Sequence, residues 1–369
     1  MKSTTPPPPS PLRPPPSDTR HPTSAIRHPS LLALFQKRIE GDDALLRLAS
    51  LRFREAGLGA ECYAESIAEL EWLLGFWPNP DRPVVAHLKR ELDVFVEADR
   101  EHIHDFAAAF GGRLRGLVIH DQPELATRPD HYRAALRAIG TRLEAVPNSP
   151  PLFVEYATGV EPALFVETLQ AVREVERVSG CLDIGHLGLR QVRTAYAARH
   201  PGSDPCNLTP QSAELPSVID DLQDSVESAL DLVLAVIEAL AVLAKPLHFH
   251  LHDGHPLSTA SPFGVSDHLS FLDEIPIPFE HHGRCALPPM FGPCGLAAVV
   301  AAALRGLGPE RVSLSLEIHP VDGLLPLGQA NPLFLHWLDK ANAERMNHWL
   351  SVLQQNHNLL KALCHHARP

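Results

Sequence analysis

The sequence predicts a (β/α)8 TIM barrel, α/β in class, with a disordered proline-rich N-terminal tail and extra C-terminal helices. Three observations carry this. Short apolar runs alternate with helix-period segments along the body of the chain. The runs are apolar on both sides, as strands are when both faces of a parallel sheet are covered. Seven such runs and an eighth candidate fall within roughly 260 residues, the span of one barrel. An open doubly wound sheet is the rival, but no G-x-G-x-x-G and no P-loop sequence follows a strand.

The elements follow in order. Residues 1–30 hold ten of the 36 prolines, including Pro6–Pro9 and Pro14–Pro16, and few large apolar side chains. Burial cannot offset the ordering entropy of such a segment, so it is expected to be disordered with polyproline II character. Residues 31–369 are expected to form one domain, with the barrel core over about 55–320 and a helical extension over about 330–364. Strands are expected at 58–63, 83–87, 114–120, 152–156, 181–184, 246–251 and 312–318, with an irregular one near 286–290. Helical patterns fill the gaps at 66–76, 91–110, 130–145, 162–178, 187–198, 218–244 and 295–307. The connections 203–216 and 253–293 are longer and proline-rich. The second follows a strand's C-terminal end, where barrel enzymes build active-site loops.

Composition narrows the function classes. The chain is 44% hydrophobic with a formal net charge of -12. The tail carries a net +3, which leaves -15 on residues 31–369. That balance argues against a nucleic-acid partner held by charge alone. The longest apolar stretch, 229–244, contains Asp231 and Glu238, so it reads as a buried helix and no membrane partner is expected. The six cysteines form no C-x-x-C pair and no export signal is visible, which points to reduced thiols in a cytoplasm.

The informative residues sit at strand ends. His87 ends VVAH, His120 ends GLVIH, Glu155 lies in LFVEY, and Asp183 and His186 lie in CLDIGH. His248, His250 and His252 alternate in LHFHLHD, and Glu317 and His319 close SLSLEIH. Residues two apart on a strand share a face. Val85/His87, Val118/His120, Phe153/Glu155, Cys181/Asp183 and Ser315/Glu317 would then all line the barrel interior. Five strands would deliver carboxylates or imidazoles to one end. Burying so many ionisable groups is costly unless something compensates them, and one or more divalent metals would. Mixed His, Asp and Glu donors suit Zn, Mn, Fe or Co.

Four segments, FVEYATG, CLDIGHLGL, LHFHLHD and SLEIHP, resemble the xylose isomerase-like TIM-barrel superfamily, in that family's order over roughly residues 55–320. The superfamily includes sugar isomerases and epimerases and, more distantly, endonuclease IV. The resemblance implies a divalent metal (Mn, Zn, Co or Mg) held by Glu155, Asp183, His250 and Glu317, with His186 binding substrate. His248 is the alternative to His250. The epimerases' arginine beyond the metal histidine falls on Pro256, with His252 or His255 as replacements. His87 and His120 match histidines that hold extra zinc ions in endonuclease IV. The late Asp-x-His pair of that enzyme has only imperfect counterparts, Asp267-His268 and Asp253-Gly254-His255.

The leading expectation is a metal-dependent sugar, sugar phosphate or polyol isomerase or epimerase. Glu155 and Glu317 would exchange a proton across an enediolate, with His186 orienting a substrate oxygen. The alternatives are a multinuclear hydrolase of phosphodiesters with His87 and His120 among the ligands, and a non-catalytic binding barrel. The C-terminal helices are expected to pack on the barrel's outside or on a second subunit of a homo-oligomer.

Overall fold

The structure, a computed structural model, describes residues 28–34, 42–76, 83–157, 159–257, 268–318 and 343–367. Residues 1–27 of the tail, His319 and Asp267 lie outside the described residues. Eight parallel strands close into a barrel: β1 (Ser30–Leu34), β2 (Gly59–Ala64), β3 (Val84–Leu88), β4 (Gly116–His120), β5 (Leu152–Glu155), β6 (Val178–Asp183), β7 (Leu247–Leu251) and β10 (Val312–Leu316), which returns to β1. A two-stranded antiparallel hairpin, β8 (Ile275–His281) and β9 (Arg284–Leu287), lies outside it.

The eighth strand is not where the sequence placed it. Residues 286–290 belong to the hairpin and its exit, while β1 fills the gap between β10 and β2. The barrel therefore begins at Ser30 rather than near residue 55. The reason is physical: SLLAL becomes a strand because two neighbouring strands already offer their edges, and its burial comes from the barrel it completes.

The helices start where local chemistry starts them. Asp42 caps α1 (Asp43–Ala56) by accepting from Leu45 N at 2.9 Å, and Gly57, at φ 82°, ends it in the left-handed conformation that glycine adopts without strain. Ser66 caps α2 (Ile67–Leu74) through Glu69 N. The helix expected from residue 91 begins only at Glu97 as α3 (Glu97–Ala109). Asp93 accepts from Phe95 N at 2.8 Å and holds the preceding residues in a turn instead. The remaining covering helices are α4 (Glu124–Thr127), α5 (Pro129–Glu144), α6 (Pro162–Ala171), α7 (Ile184–Arg199), α8 (Leu215–Ala241) and α9 (Gly292–Leu307); α10 (Ala343–His366) packs outside α1 and α9. Among the described residues no helix is long and apolar enough to cross a membrane.

Two apolar layers sandwich the sheet. The main core lies between strands and helices. Inside the barrel, Leu32, Val85, Val118, Phe153 and Cys181 form a separate plug across five strands. The plug is the floor on which the site stands.

Candidate metal centre

The strand registers carry the expected alternation through to the rim. Glu61 lies beside Val85, His87 beside Val118, His120 beside Glu155, and Asp183 beside His250. Val85, Val118, Phe153 and Cys181 enter the plug, and the ionisable residue two positions on stands above each of them. Buried Ser315 takes the equivalent place below Glu317, and β2 adds a further buried carboxylate, Glu61.

The inner part of the site is built on Glu155. Its Oε2 is 2.9 Å from His87 Nε2 and 3.5 Å from His120 Nε2, while its Oε1 is 3.4 Å from His250 Nδ1. Glu317, just past the end of β10, places Oε2 3.0 Å from the same His250 Nδ1 and Oε1 3.4 Å from His268 Nε2. Both glutamates are therefore shared, each oxygen facing a different histidine. The ligand atoms of His87, His120 and Glu155 lie within 4.8 Å of one another, as do those of Glu61, His87 and His250.

The outer part stands on Asp183. Its carboxylate caps α7 by accepting from His186 N at 2.8 Å, and it lies 2.9 Å from His252 Nε2 and 3.4 Å from His186 Nδ1. His252 stacks on His268 with centroids 4.3 Å apart. The ring fits because residue 185 is glycine: a Cβ there would fall 2.0 Å from His252 Cε1. The ligand atoms of His186, His252 and His268 also lie within 4.8 Å of one another.

Charge states follow from burial and neighbours. Burial alone would raise the Glu155 and Glu317 carboxyls, but the facing His250, with His120 and His268 behind it, holds both well below the usual carboxylate range. Burial pulls His120 down to about 4, which leaves it neutral and able to donate a lone pair. Burial also works against charge on His250, but the three glutamates around it, Glu61, Glu155 and Glu317, raise its pKa well above the ordinary 6.5. A proton on Nδ1 is thus one way to compensate the carboxylates, and a metal cation is another.

The donor set fits a divalent metal. His250 Nδ1 is fully buried and makes no hydrogen bond, although two carboxylate oxygens face it. A buried ring nitrogen facing two carboxylate oxygens is an arrangement that a cation satisfies once the nitrogen gives up its proton.

The predicted residues divide between the two parts. His87, His120, Glu155, His250 and Glu317 come together, while Asp183 and His186 meet around His252. His248 sits one layer lower, with Nδ1 2.7 Å from Ser313 Oγ and Nε2 2.9 Å from Glu61, so His250 rather than His248 faces the carboxylates. Asp253 is committed to the backbone amides of Gly254, Phe291 and Gly292, and His255 to Gln223 at 3.2 Å, so both point their polar atoms elsewhere. His252 and His268 do join the site. Glu61 escaped the sequence, as did the observed role of His252, whereas His268 was named there only as half of the imperfect Asp267-His268 pair. Glu61 carried a readable signal, a glutamate flanked by apolar residues in LGAECY, as Glu155 is in LFVEY. His268 carried only that weak signal, because it lies in an irregular connection.

No family model and no curated protein sequence matches the chain. Among solved structures it is similar to AsfvAP:AG, at 12% identity over 91% of this chain and 99% of that one, with a TM-score of 0.48. It is also similar to a thermostable mutant of the xylanase Xyn10A from Cellvibrio japonicus, at 11% identity over 80% and 87%, TM-score 0.43. A third is the carboxyl transferase domain of Rhizobium etli pyruvate carboxylase with pyruvate, at 11% identity over 90% of this chain and 49% of that one, TM-score 0.36. At such identities and scores no functional argument rests on them.

Proposed function

We propose that the chain is a divalent-metal-dependent hydrolase of small phosphoesters with a multinuclear centre. The observation that carries this reading is the sharing of both glutamates. Glu155 joins the His87–His120 group to His250, and Glu317 joins His250 to His268 and so to the Asp183–His186–His252 group. One ion cannot use all of these donors. A row of carboxylates with an imidazole on each oxygen suits adjacent ions.

In this reading His87, His120 and Glu155 would hold one ion, Glu155, His250 and Glu317 a second, and Asp183, His186, His252 and His268 would serve the outer position. Such ions supply Lewis-acid polarisation of a phosphoryl oxygen and nucleophilic water at neutral pH. The chain's own residues do the rest. The apolar plug excludes solvent from below. Tyr63, its ring 4.0 Å from that of His87, walls one side. Arg90 adds a smaller push, after burial, against a proton on His120. The charge of -15 on residues 31–369 favours a small phosphoester over a long polyanion.

A second reading, the metal-dependent sugar or polyol isomerase or epimerase, draws on a different observation. Glu155 and Glu317 approach His250 Nδ1 from separate strands, the placement two proton-transferring carboxylates need. It uses one ion and leaves His87 and His120 as bystanders. Elemental analysis of protein purified without chelator separates the two, comparing wild type with His87→Ala/His120→Ala. More than one metal per chain, falling in the double variant together with hydrolysis of bis(p-nitrophenyl) phosphate, supports the hydrolase. One metal, unchanged in the variant, with turnover in a sugar and polyol panel, replaces it with the isomerase. No metal after reconstitution with Zn and Mn overturns both.

A further inference from the structure

We infer that Glu61 is the positioning residue that makes His250 a metal ligand through Nδ1. The inference rests on the proposed metal centre but adds a residue and a role that the shared glutamates do not imply. Glu61 is fully buried, its backbone paired beside Val85 of the apolar plug. A lone carboxylate there is very costly, and it persists because two imidazoles answer it. His250 Nε2–H donates to Oε1 at 2.9 Å and His248 Nε2–H donates to Oε2 at 2.9 Å. His248 Nδ1 in turn accepts from the Ser313 hydroxyl at 2.7 Å.

This chain of contacts fixes a tautomer. With Nε2 committed as a donor to Glu61, the lone pair of a neutral His250 can only sit on Nδ1. Nδ1 is the atom that makes no hydrogen bond and faces Glu155 and Glu317. An imidazole whose far nitrogen donates to a carboxylate is oriented and made more basic at its near nitrogen. Ser313 and His248 do the same for Glu61 itself: they hold its second oxygen, so that the carboxylate cannot rotate away from His250. Glu61 is thus separate from the ligands Glu155 and Glu317, although all three are buried glutamates on the interior face.

The test is a comparison of Glu61→Gln and Ser313→Ala with wild type, all in a His281→Ala/His282→Ala background. That background removes the exposed His281–His282–Asp220 group, whose ligand atoms also lie within 4.8 Å of one another. Two readouts are needed: Zn affinity by chelator competition, and the ¹⁵N shifts of the His250 ring in histidine-labelled protein, assigned through His250→Gln. Wild type should bind Zn with Nε2 protonated and Nδ1 coordinated. Glu61→Gln should keep its fold by circular dichroism, weaken Zn binding about 10- to 100-fold and lose the single-tautomer signature. Ser313→Ala should weaken binding by less. Unchanged affinity and tautomer in a folded Glu61→Gln protein overturns the positioning role while leaving the metal centre intact. Failure of the wild-type background to bind Zn at His250 overturns both. If Glu61→Gln does not fold, Ser313→Ala decides: an unshifted His250 signal and full affinity count against the relay.

Discussion

His250 is the residue on which the site's pH behaviour turns. Its proton and a metal ion compete for Nδ1, and the surrounding anions favour the charged imidazole well above its usual range. Zn loading at neutral pH is therefore expected to release a proton, and Zn affinity to rise as pH increases through neutrality. Calorimetric titrations in buffers of different ionisation enthalpy would read that proton directly; buffer-independent heats would remove His250 from the ligand set. The metal-free protein has its own signature. A raised histidine pKa stabilises the fold fully below about 6.5 and loses that contribution as pH climbs through the folded value. Glu155 and Glu317 act oppositely, since their depressed pKa values stabilise the fold above the ordinary carboxylate range and the gain is lost on acidification. The metal-free protein should thus unfold at lower denaturant concentration both in acid and at alkaline pH. Bound Zn should flatten the alkaline limb.

At the scale of elements, legibility followed burial pattern. β3, β4, β5, β6, β7 and β10 were readable because an apolar run covered on both faces looks alike wherever it occurs, and their polar ends stood out against it. β1 was not, because five residues beside a proline-rich tail carry no strand signal apart from the neighbours that pair with them. The outer half of the site was only partly legible for a related reason. Asp183 and His186 are tied by local spacing at the start of α7, whereas His268 reaches the site from a connection whose course depends on the whole fold. The lower end of β6 shows the same dependence. Lys245, just before β7, donates to the carbonyls of Val172, Val175 and Val178 at 3.2, 2.7 and 3.0 Å, fastening the end of α6 to the start of β6. Lys245→Met would leave those carbonyls buried without their donor. We expect a loss of about 2–3 kcal/mol in denaturant unfolding with metal content unchanged, because Lys245 lies at the end of the barrel away from the site. A fall in metal content would show that the two ends are coupled.

At the scale of the molecule, the question is what α10 contributes to a barrel that closes without it. The helix buries Trp349, Leu353 and Leu360 against the outer layer, as expected of a C-terminal segment packed on the barrel. Two of its polar side chains reach further. Trp349 Nε1–H donates to the Ile318 carbonyl at 2.8 Å, one residue beyond Glu317. Asn356, fully buried, accepts from Phe271 N at 3.1 Å and donates to Ser270 Oγ at 3.0 Å, two residues beyond His268. Helix α10 therefore braces the two arms that carry Glu317 and His268, the pair that links the inner and outer parts of the site. Trp349→Phe keeps an aromatic ring and removes one hydrogen bond, so it should cost about 1 kcal/mol of stability. Asn356→Ala should cost about 2 kcal/mol, because it strands a buried amide and a hydroxyl. Both should also speed metal loss to a chelator, through looser Glu317 and His268, more than their small effect on unfolding would suggest. Lys245→Met is the control that gives this meaning. It should lower stability at least as much yet leave metal release unchanged, so matched release rates across all three variants would reduce α10 to a cover for the barrel wall.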